Sequence, residues 1–208
     1  MNRKLLKKER HKRIVIGAIV FFTLFLLNLN DVFAENIVTY VELPVKKVKQ
    51  AYSNWCWAAG SESILYYCKN YLGFGREATQ WDIVKYIYGS YVNKGASLYD
   101  IQRALSYYGV GSSRMIPVSG SIISYGQIGQ QIVNYKSPIG LVITATVSQN
   151  HFVVISGIWQ YFDSSGYLQN LIMVMDPAIG YVRSIPDSEL RDNDYFEDYV
   201  DAIRIFRP

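Results

Sequence analysis

The chain has 208 residues, half of them hydrophobic, and its formal charge of +4 comes from 21 basic and 17 acidic side chains. Seven of the basic residues and only two of the acidic ones lie within residues 1–34, so residues 35–208 carry 14 bases against 15 acids. This near-neutral remainder has no basic patch, which argues against nucleic-acid binding. It also has no linker-like stretch, so residues 35–208 are predicted to form one domain.

Residues 1–34 are typical of a secretory signal peptide. An uncharged apolar run from Ile14 to Leu27 follows the basic residues, and small residues precede a predicted cleavage after Ala34. An uncleaved membrane anchor is the alternative, but the run is shorter than the roughly 20 residues that span a bilayer as a helix. We therefore expect a secreted or cell-surface protein without membrane contact after cleavage.

The two cysteines, Cys56 and Cys68, would usually pair in an exported protein. However, small and apolar residues recur at helical spacing, so the segment 56–69 is predicted to be one helix. Twelve residues of helix would separate the two backbones by roughly 18 Å, which is beyond the reach of a disulfide. The sequence therefore predicts a free Cys56, with Cys68 as a small buried residue.

An extended segment, 37–48, precedes this helix, and three further helices are predicted after it from their capping signatures. Each begins with Ser or Thr followed three residues later by Asp or Gln. The pairs are Thr79 with Asp82, Ser97 with Asp100 and Ser124 with Gln127. Gly89 and Gly109 stand where the first two of these helices should end.

From residue 137 onward, runs of β-branched residues predict strands. The runs are Ile139 to Val147, Phe152 to Ile158, Leu171 to Met175, Tyr181 to Ile185 and Ala202 to Phe206, with turns at 148–150 and 164–166. Helices followed by sequence-adjacent strands favour an α+β fold with an antiparallel sheet. We expect the N-terminal helical half to pack on the C-terminal sheet half, with the active site in the cleft between them.

Histidine is scarce enough to restrict the chemistry. His11 lies in the predicted signal, so His151 is the only imidazole in residues 35–208. A zinc site with several histidines is excluded, and the two cysteines lack the spacing of a structural zinc site. The acidic stretch between Asp187 and Asp201 lacks the spacing and the glycine of a calcium loop. No metal and no cofactor are therefore expected.

Cys56 stands where the chain enters its first predicted helix, with Ser53 and Asn54 as candidate caps. The positive end of the helix dipole and a nearby imidazolium would both favour the nucleophilic thiolate. The alternative is a buried cysteine between two core tryptophans, Trp55 and Trp57.

The segment with Gln50 six residues before Cys56, followed by Trp57 and Ala58, resembles the active-site segment of papain-like cysteine peptidases. The resemblance implies that Cys56 is the nucleophile and opens the central helix. It also implies that the Gln50 side chain and the Cys56 backbone N–H form the oxyanion hole. Papain's Cys-Gly-Ser before the nucleophile is absent here, and with it the neighbouring disulfide.

The segment that begins with Asn150-His151 and the step Ser137-Pro138-Ile139 are also similar to this family. The similarity is to its short bacterial members, which include proteins similar to bacteriocin-leader peptidases and to secreted effector proteases. In these an aspartate in an Asp-Pro step replaces papain's asparagine, so Asp176 before Pro177 would orient His151. The alternative is that Asp176 is only a turn residue.

The resemblance implies a monomeric peptidase that acts on a peptide or protein substrate through a thioester. Since only 15 residues separate Ala34 from Gln50, an inhibitory pro-segment is not expected, and a protein inhibitor or a narrow substrate range would restrain the enzyme instead. A transpeptidase, deamidase or transglutaminase would use the same triad. A non-catalytic secreted binding module with an idle site is the remaining alternative.

Overall fold

The computed structural model describes residues 36–117, 123–146, 149–190 and 198–208. The predicted signal segment and its cleavage position therefore lie outside the described residues. The chain divides into two compact units, of which the larger comprises residues 37–160 and 169–208. The described part of the smaller unit is Asn36 with residues 161–168, where the turn predicted at 164–166 is present.

The described residues contain four α-helices. These are α1 (Cys56–Tyr67), α2 (Gln80–Tyr88), α3 (Leu98–Tyr107) and α4 (Tyr125–Gly129). Wider π-helical segments, Cys68–Leu72 and Gln130–Asn134, continue α1 and α4, and Asp187–Leu190 is a short 3₁₀ helix. No helix among the described residues is long and apolar enough to cross a membrane.

Seven strands of the described chain form one sheet that is mostly antiparallel. The strands are β1 (Asn36–Glu42), β2 (Gly111–Arg114), β3 (Ile139–Thr146), β4 (Gln149–Phe162), β5 (Leu168–Asp176), β6 (Tyr181–Pro186) and β7 (Asp198–Phe206). Their order is β2-β7-β3-β4-β5-β6, and β1 pairs with β4. The predicted α+β class with an antiparallel sheet is therefore confirmed.

The three predicted capping boxes are all present, each with reciprocal hydrogen bonds between the cap and the third helical residue. Gly89 ends α2 in the left-handed conformation, and Gly109 adopts the same conformation just after α3. Cys56 and Cys68 are both free, and Cys68 is buried, as predicted; Cys56 is buried as well, which the sequence offered only as the alternative. Local sequence signals thus placed these helix ends correctly.

The sheet differs from the prediction in its strands and in one turn. β1 and β2 come from the N-terminal half, so the sheet is not built from the C-terminal half alone. β2 has the sequence Gly-Ser-Ser-Arg, without β-branched residues, and its place depends on antiparallel pairing with β7. The turn predicted at 148–150 was wrong for two of its residues, because Gln149 and Asn150 already pair with β3.

Helix α1 is buried along almost its whole length, and small residues let it approach the sheet closely. A Cβ atom on Gly60 would lie 2.5 Å from the Phe152 ring of β4. A Cβ on Gly140 of β3 would lie 2.6 Å from the same ring. The Phe152 ring thus fills the space that the absent side chains of Gly60 and Gly140 leave open. This contact fixes the distance between α1 and β4.

Substitution of Gly60 by Ala should therefore destabilise the protein. We expect overpacking against Phe152 to lower the free energy of unfolding by about 1–3 kcal/mol, although alanine favours a helix by about 1 kcal/mol. The matched control is Gly126→Ala in α4, where the added methyl group would lie 3.8 Å from the Ser124 hydroxyl, an ordinary van der Waals distance. Urea unfolding of both variants checks this. Equal stability of the two would contradict the packing argument.

Candidate active site

Cys56 is the first residue of α1, and its backbone amide belongs to the first turn. The helical ladder begins with the N–H of Ala59, which donates to the Trp55 carbonyl at 3.0 Å. The amides of residues 56–58 therefore have no acceptor within the helix and stand at the positive end of its dipole. An anion at the Cys56 sulfur, or beside its amide, is favoured by this position.

The predicted side-chain caps of α1 were wrong. The N-cap is Trp55, and no side chain caps this helix. Ser53 and Asn54 instead bond to Asn93: the Asn93 amide donates to the Ser53 hydroxyl, and Asn93 Oδ1 accepts the Asn54 backbone N–H, both at 3.0 Å. These side chains therefore tie the loop at residue 93 to the segment before Cys56.

The two tryptophans beside Cys56 extend this attachment. The indole N–H of Trp55 donates to the carbonyl of Val92 at 2.8 Å, and that of Trp57 donates to the carbonyl of Lys94 at 3.0 Å. Both rings are almost fully buried. The tryptophans thus anchor the start of α1 in the core and hold the loop 92–94 beside it.

His151 and Asp176 meet across two neighbouring strands. His151 lies in β4, and Asp176 is the last residue of β5. The imidazole Nε2 lies 2.7 Å from Asp176 Oδ1, and the two side chains are only 16% and 7% exposed. This contact leaves the Nδ1 edge of the ring free to face another group.

Cys56 lies against this histidine. Both residues line the same cleft, and the thiol lies close enough to the ring to raise the pKa of His151. The backbone N–H of Phe152, the next residue of β4, points to Cys56 Sγ at 3.4 Å. The structure therefore brings together the predicted cysteine, histidine and aspartate in the order Cys56, His151, Asp176.

The charge of His151 follows from these contacts. Burial lowers the pKa of the ring, but hydrogen bonds and charges from Asp176 and Cys56 outweigh it and raise the pKa from 6.5 to about 9. The imidazolium is therefore the favoured form at neutral pH. Because the folded-state value is the higher one, this group stabilises the fold fully below pH 6.5, and its contribution is lost as the pH rises through about 9.

Asp176 is held as a carboxylate by three donors. Burial raises its pKa, but the hydrogen bond and charge of His151, the Ala178 N–H and the charge of Arg183 lower it below its ordinary value. The Ala178 N–H donates to Oδ1 at 2.9 Å, and Arg183 Nη2 donates to Oδ2 at 3.2 Å. Asp176 is thus fixed from both sides of its carboxylate.

Arg183 is the residue of this cluster that the sequence did not reveal. It lies in β6 opposite Val174, on the face that Asp176 shares, because paired residues of antiparallel strands point to the same side. The sequence offered one signal for Arg183: a basic residue in the strand predicted from Tyr181 to Ile185, which pairs with the strand that bears Asp176. It could be recognised only once the register of β5 and β6 was known.

Gln50 lines the same cleft as Cys56, but its amide is engaged elsewhere. Its Nε2 donates to the carbonyls of Tyr52 and Ser53 at 2.9 and 2.7 Å. Its Oε1 is buried without a hydrogen-bond partner among the described residues. To donate to an oxyanion beside Cys56, the Gln50 amide would have to exchange one of these two bonds.

The cleft around these residues has a volume of about 630 Å³. Its walls combine the polar cluster with apolar and small residues. They include Gln50, Cys56, Trp57, Gly95, Ala96, Ile101, Val142, Asn150, His151, Asp176 and Arg183. Within the described ranges, no group of three His, Cys, Asp or Glu side chains could hold a metal ion.

No protein-family model matches this sequence, and no curated protein matches it either. A thiol at a helix N-terminus, a partly buried imidazolium and a fixed carboxylate together form an arrangement suited to nucleophilic catalysis.

The two cysteines should differ sharply in their reaction with iodoacetamide. We expect Cys56, beside an imidazolium at the cleft, to be alkylated faster than free cysteine at pH 7. Cys68 is fully buried, and burial raises its pKa to about 12, so it should react only after unfolding in urea. Peptide mapping by mass spectrometry measures both rates in one sample. A Cys56 rate no higher than that of free cysteine would favour the idle binding module.

Proposed function

We propose that the protein is a papain-like cysteine peptidase that hydrolyses peptide bonds through Cys56, His151 and Asp176. The observation that carries the proposal is the position of the His151 ring, which bonds Asp176 at 2.7 Å and lines the same cleft as Cys56. The Cys56 sulfur accepts the backbone N–H of Phe152, the residue after His151, at 3.4 Å. A cysteine that opens a buried helix, packed against a strand that bears the histidine, supports the papain-like fold. The order Gln50, Cys56, His151, Asp176 supports it further.

The first half of the proposed reaction forms an acyl-enzyme. The Cys56 thiolate attacks the peptide carbonyl carbon, a C–S bond forms, and the carbonyl oxygen becomes an oxyanion. The Cys56 N–H, in the first turn of α1, and the Gln50 amide would hold this charge. When the C–N bond breaks, the His151 imidazolium gives its proton to the leaving amine.

The second half releases the product. Neutral His151 takes a proton from a water molecule, which attacks the thioester carbonyl carbon. The C–S bond then breaks, the carboxylic acid leaves, and the thiolate and imidazolium are restored. Asp176 keeps the ring in the orientation that both proton transfers need, and it stays ionised because Arg183 and Ala178 also bond it.

The N-terminal segment supports an extracellular setting for this activity. We propose that the peptidase is secreted or held at the cell surface, acts as a monomer and needs no cofactor. Its substrate would be a peptide or protein that threads the cleft beside Gly95 and Ala96. A separate protein inhibitor would restrain it.

Loss of the nucleophile or the base should abolish turnover. We expect Cys56→Ala and His151→Ala each to reduce kcat/KM by roughly 1,000-fold or more, with little change in the melting temperature. The matched control is Cys68→Ala, which truncates the other cysteine and should keep kcat. Cleavage of a fluorogenic peptide library measures this effect, and retained activity in either first variant would overturn the assignment.

The same library also tests which acceptor takes the acyl group. Mass spectrometry of the products separates hydrolysis from its alternatives, because a transpeptidase yields ligated peptides and a deamidase yields intact peptides one mass unit heavier. We expect free carboxyl termini with one added water per cleavage. If most of the products are ligated or deamidated, the protein is an acyl transferase and not a peptidase.

Asp176→Asn should reduce activity less than Cys56→Ala, since an asparagine Oδ1 can still accept from His151 and Ala178. Its amide N–H₂ would face the Arg183 guanidinium, so Arg183→Gln in the same chain should restore part of the loss. Removal of the charge should also lower the pKa of His151, and the basic limb of the kcat/KM profile should move to lower pH. Steady-state kinetics from pH 5 to 10 checks this.

Two results would contradict this view of Asp176. A variant as inactive as Cys56→Ala would mean that the charge of the carboxylate matters more than its orientation of the ring. An unchanged basic limb would mean that His151 is not the group that titrates in the active site.

A further inference from the structure

The backbone around Gln50 is held from both edges, and one of the two partners is a side chain from another helix. The Gln80 side chain donates through Nε2 to the Lys49 carbonyl at 3.0 Å and accepts the Ala51 N–H through Oε1 at 2.8 Å. On the other edge, the Gln50 N–H donates to the Pro177 carbonyl at 2.9 Å. Alternate backbone groups of an extended segment point in opposite directions, which matches this pattern.

Gln80 is itself fixed to the helix that begins with Cys56. It is the first residue of α2 and is only 8% exposed. Its backbone N–H donates to Glu62 Oε2 on α1 at 2.8 Å, and Glu62 Oε1 pairs with Lys46 at 2.6 Å. The Ser63 hydroxyl on α1 also donates to the Lys46 carbonyl at 2.7 Å. Polar side chains of α1 and α2 thus connect the segment 46–51 to α1.

We propose that Gln80 is a positioning residue that sets the Gln50 backbone relative to Cys56, so that the Gln50 amide can reach the oxyanion. The inference rests on the proposed peptidase function. It would act through Gln50 and would not touch the substrate. A glutamine suits this task because one planar amide offers both the donor and the acceptor that the two backbone groups need.

The state of the Gln50 amide explains why a fixed backbone matters. The Gln50 amide nitrogen already donates hydrogen bonds to the Tyr52 and Ser53 carbonyls. The Gln50 side chain must therefore rotate before it can donate to the oxyanion. A displacement of about 1 Å in a catalytic group can cost on the order of 100-fold in rate. The turn can place the amide accurately only if the backbone that carries it stays in place.

A purely structural role for Gln80 makes a different prediction. Alkylation of Cys56 by iodoacetamide needs the thiolate and His151 but forms no oxyanion. Peptide cleavage needs the thiolate, His151 and a group that stabilises the oxyanion. Loss of a positioning residue for Gln50 should therefore slow cleavage and leave alkylation unchanged. General destabilisation would affect both reactions.

The main variant is Gln80→Met, which keeps the size of the side chain and removes both hydrogen bonds. With the best-cleaved member of the fluorogenic library, we expect kcat to fall roughly 10- to 100-fold with KM little changed, which does not exceed the loss of roughly 100- to 1,000-fold seen when one oxyanion donor is removed outright. The iodoacetamide rate at Cys56 should stay within about twofold. Deuterium exchange at the Ala51 amide should become faster.

Two further variants keep the test decisive. Gln130→Met, at an exposed glutamine, is the matched control and should leave all three measurements unchanged. Gln80→Glu keeps the acceptor for Ala51 and loses the donor to Lys49, and a carboxylate is favoured at a helix N-terminus. If Gln80→Met fails to fold, Gln80→Glu must still show slower cleavage with normal alkylation.

The proposal is overturned if either Gln80 variant cleaves the peptide normally, or if alkylation slows in parallel with cleavage. Failure of the proposed function looks different, because it appears in the unmodified protein. If that protein alkylates slowly or cleaves no peptide, the peptidase assignment fails. Deuterium exchange then decides alone whether Gln80 holds the Gln50 backbone, and unchanged exchange at Ala51 would reject that as well.

Discussion

The close packing of α1 on the sheet is the constraint on which the site depends. The Phe152 ring occupies the space between Gly60 and Gly140, and neither glycine could carry a side chain without a shift of the ring. Phe152 follows His151 directly, and Gly60 lies one helical turn after Cys56. Since interiors are packed as densely as crystals, this contact fixes the distance between the helix that bears the thiol and the strand that bears the imidazole.

A row of polar and charged groups is built on this frame. The Cys56 thiol, the His151 ring, the Asp176 carboxylate and the Arg183 guanidinium follow one another along the cleft, and the carboxylate bonds both the ring and the guanidinium. In a partly buried setting, each charge reduces the cost of burying its neighbour. Arg183 gives Asp176 a second cationic partner. Without Arg183, Asp176 would have only His151 as a cationic partner among its described contacts.

Much of the fold could be predicted because its signals are local. Thr79, Ser97 and Ser124 each start a helix through a bond to a residue three positions away, so the capping residues are visible in the sequence. The lone imidazole and the segment from Gln50 to Ala58 likewise marked the candidate site. The features that escaped prediction depend on partners distant in sequence. β2 is a strand only because β7 pairs with it, and Asn93 reaches Ser53 across 40 positions.

The position of the two cysteines on one continuous helix has a consequence for redox chemistry. Cys56 opens the helix at the cleft, and Cys68 is buried at its far end. If an oxidant converts the Cys56 thiolate to a sulfenic acid, the second thiol cannot reach it to form a protective disulfide. Since the chain has two cysteines in all, recovery must depend on a thiol supplied from outside the chain. Prolonged exposure to an oxidant would otherwise carry the sulfur on to irreversible forms.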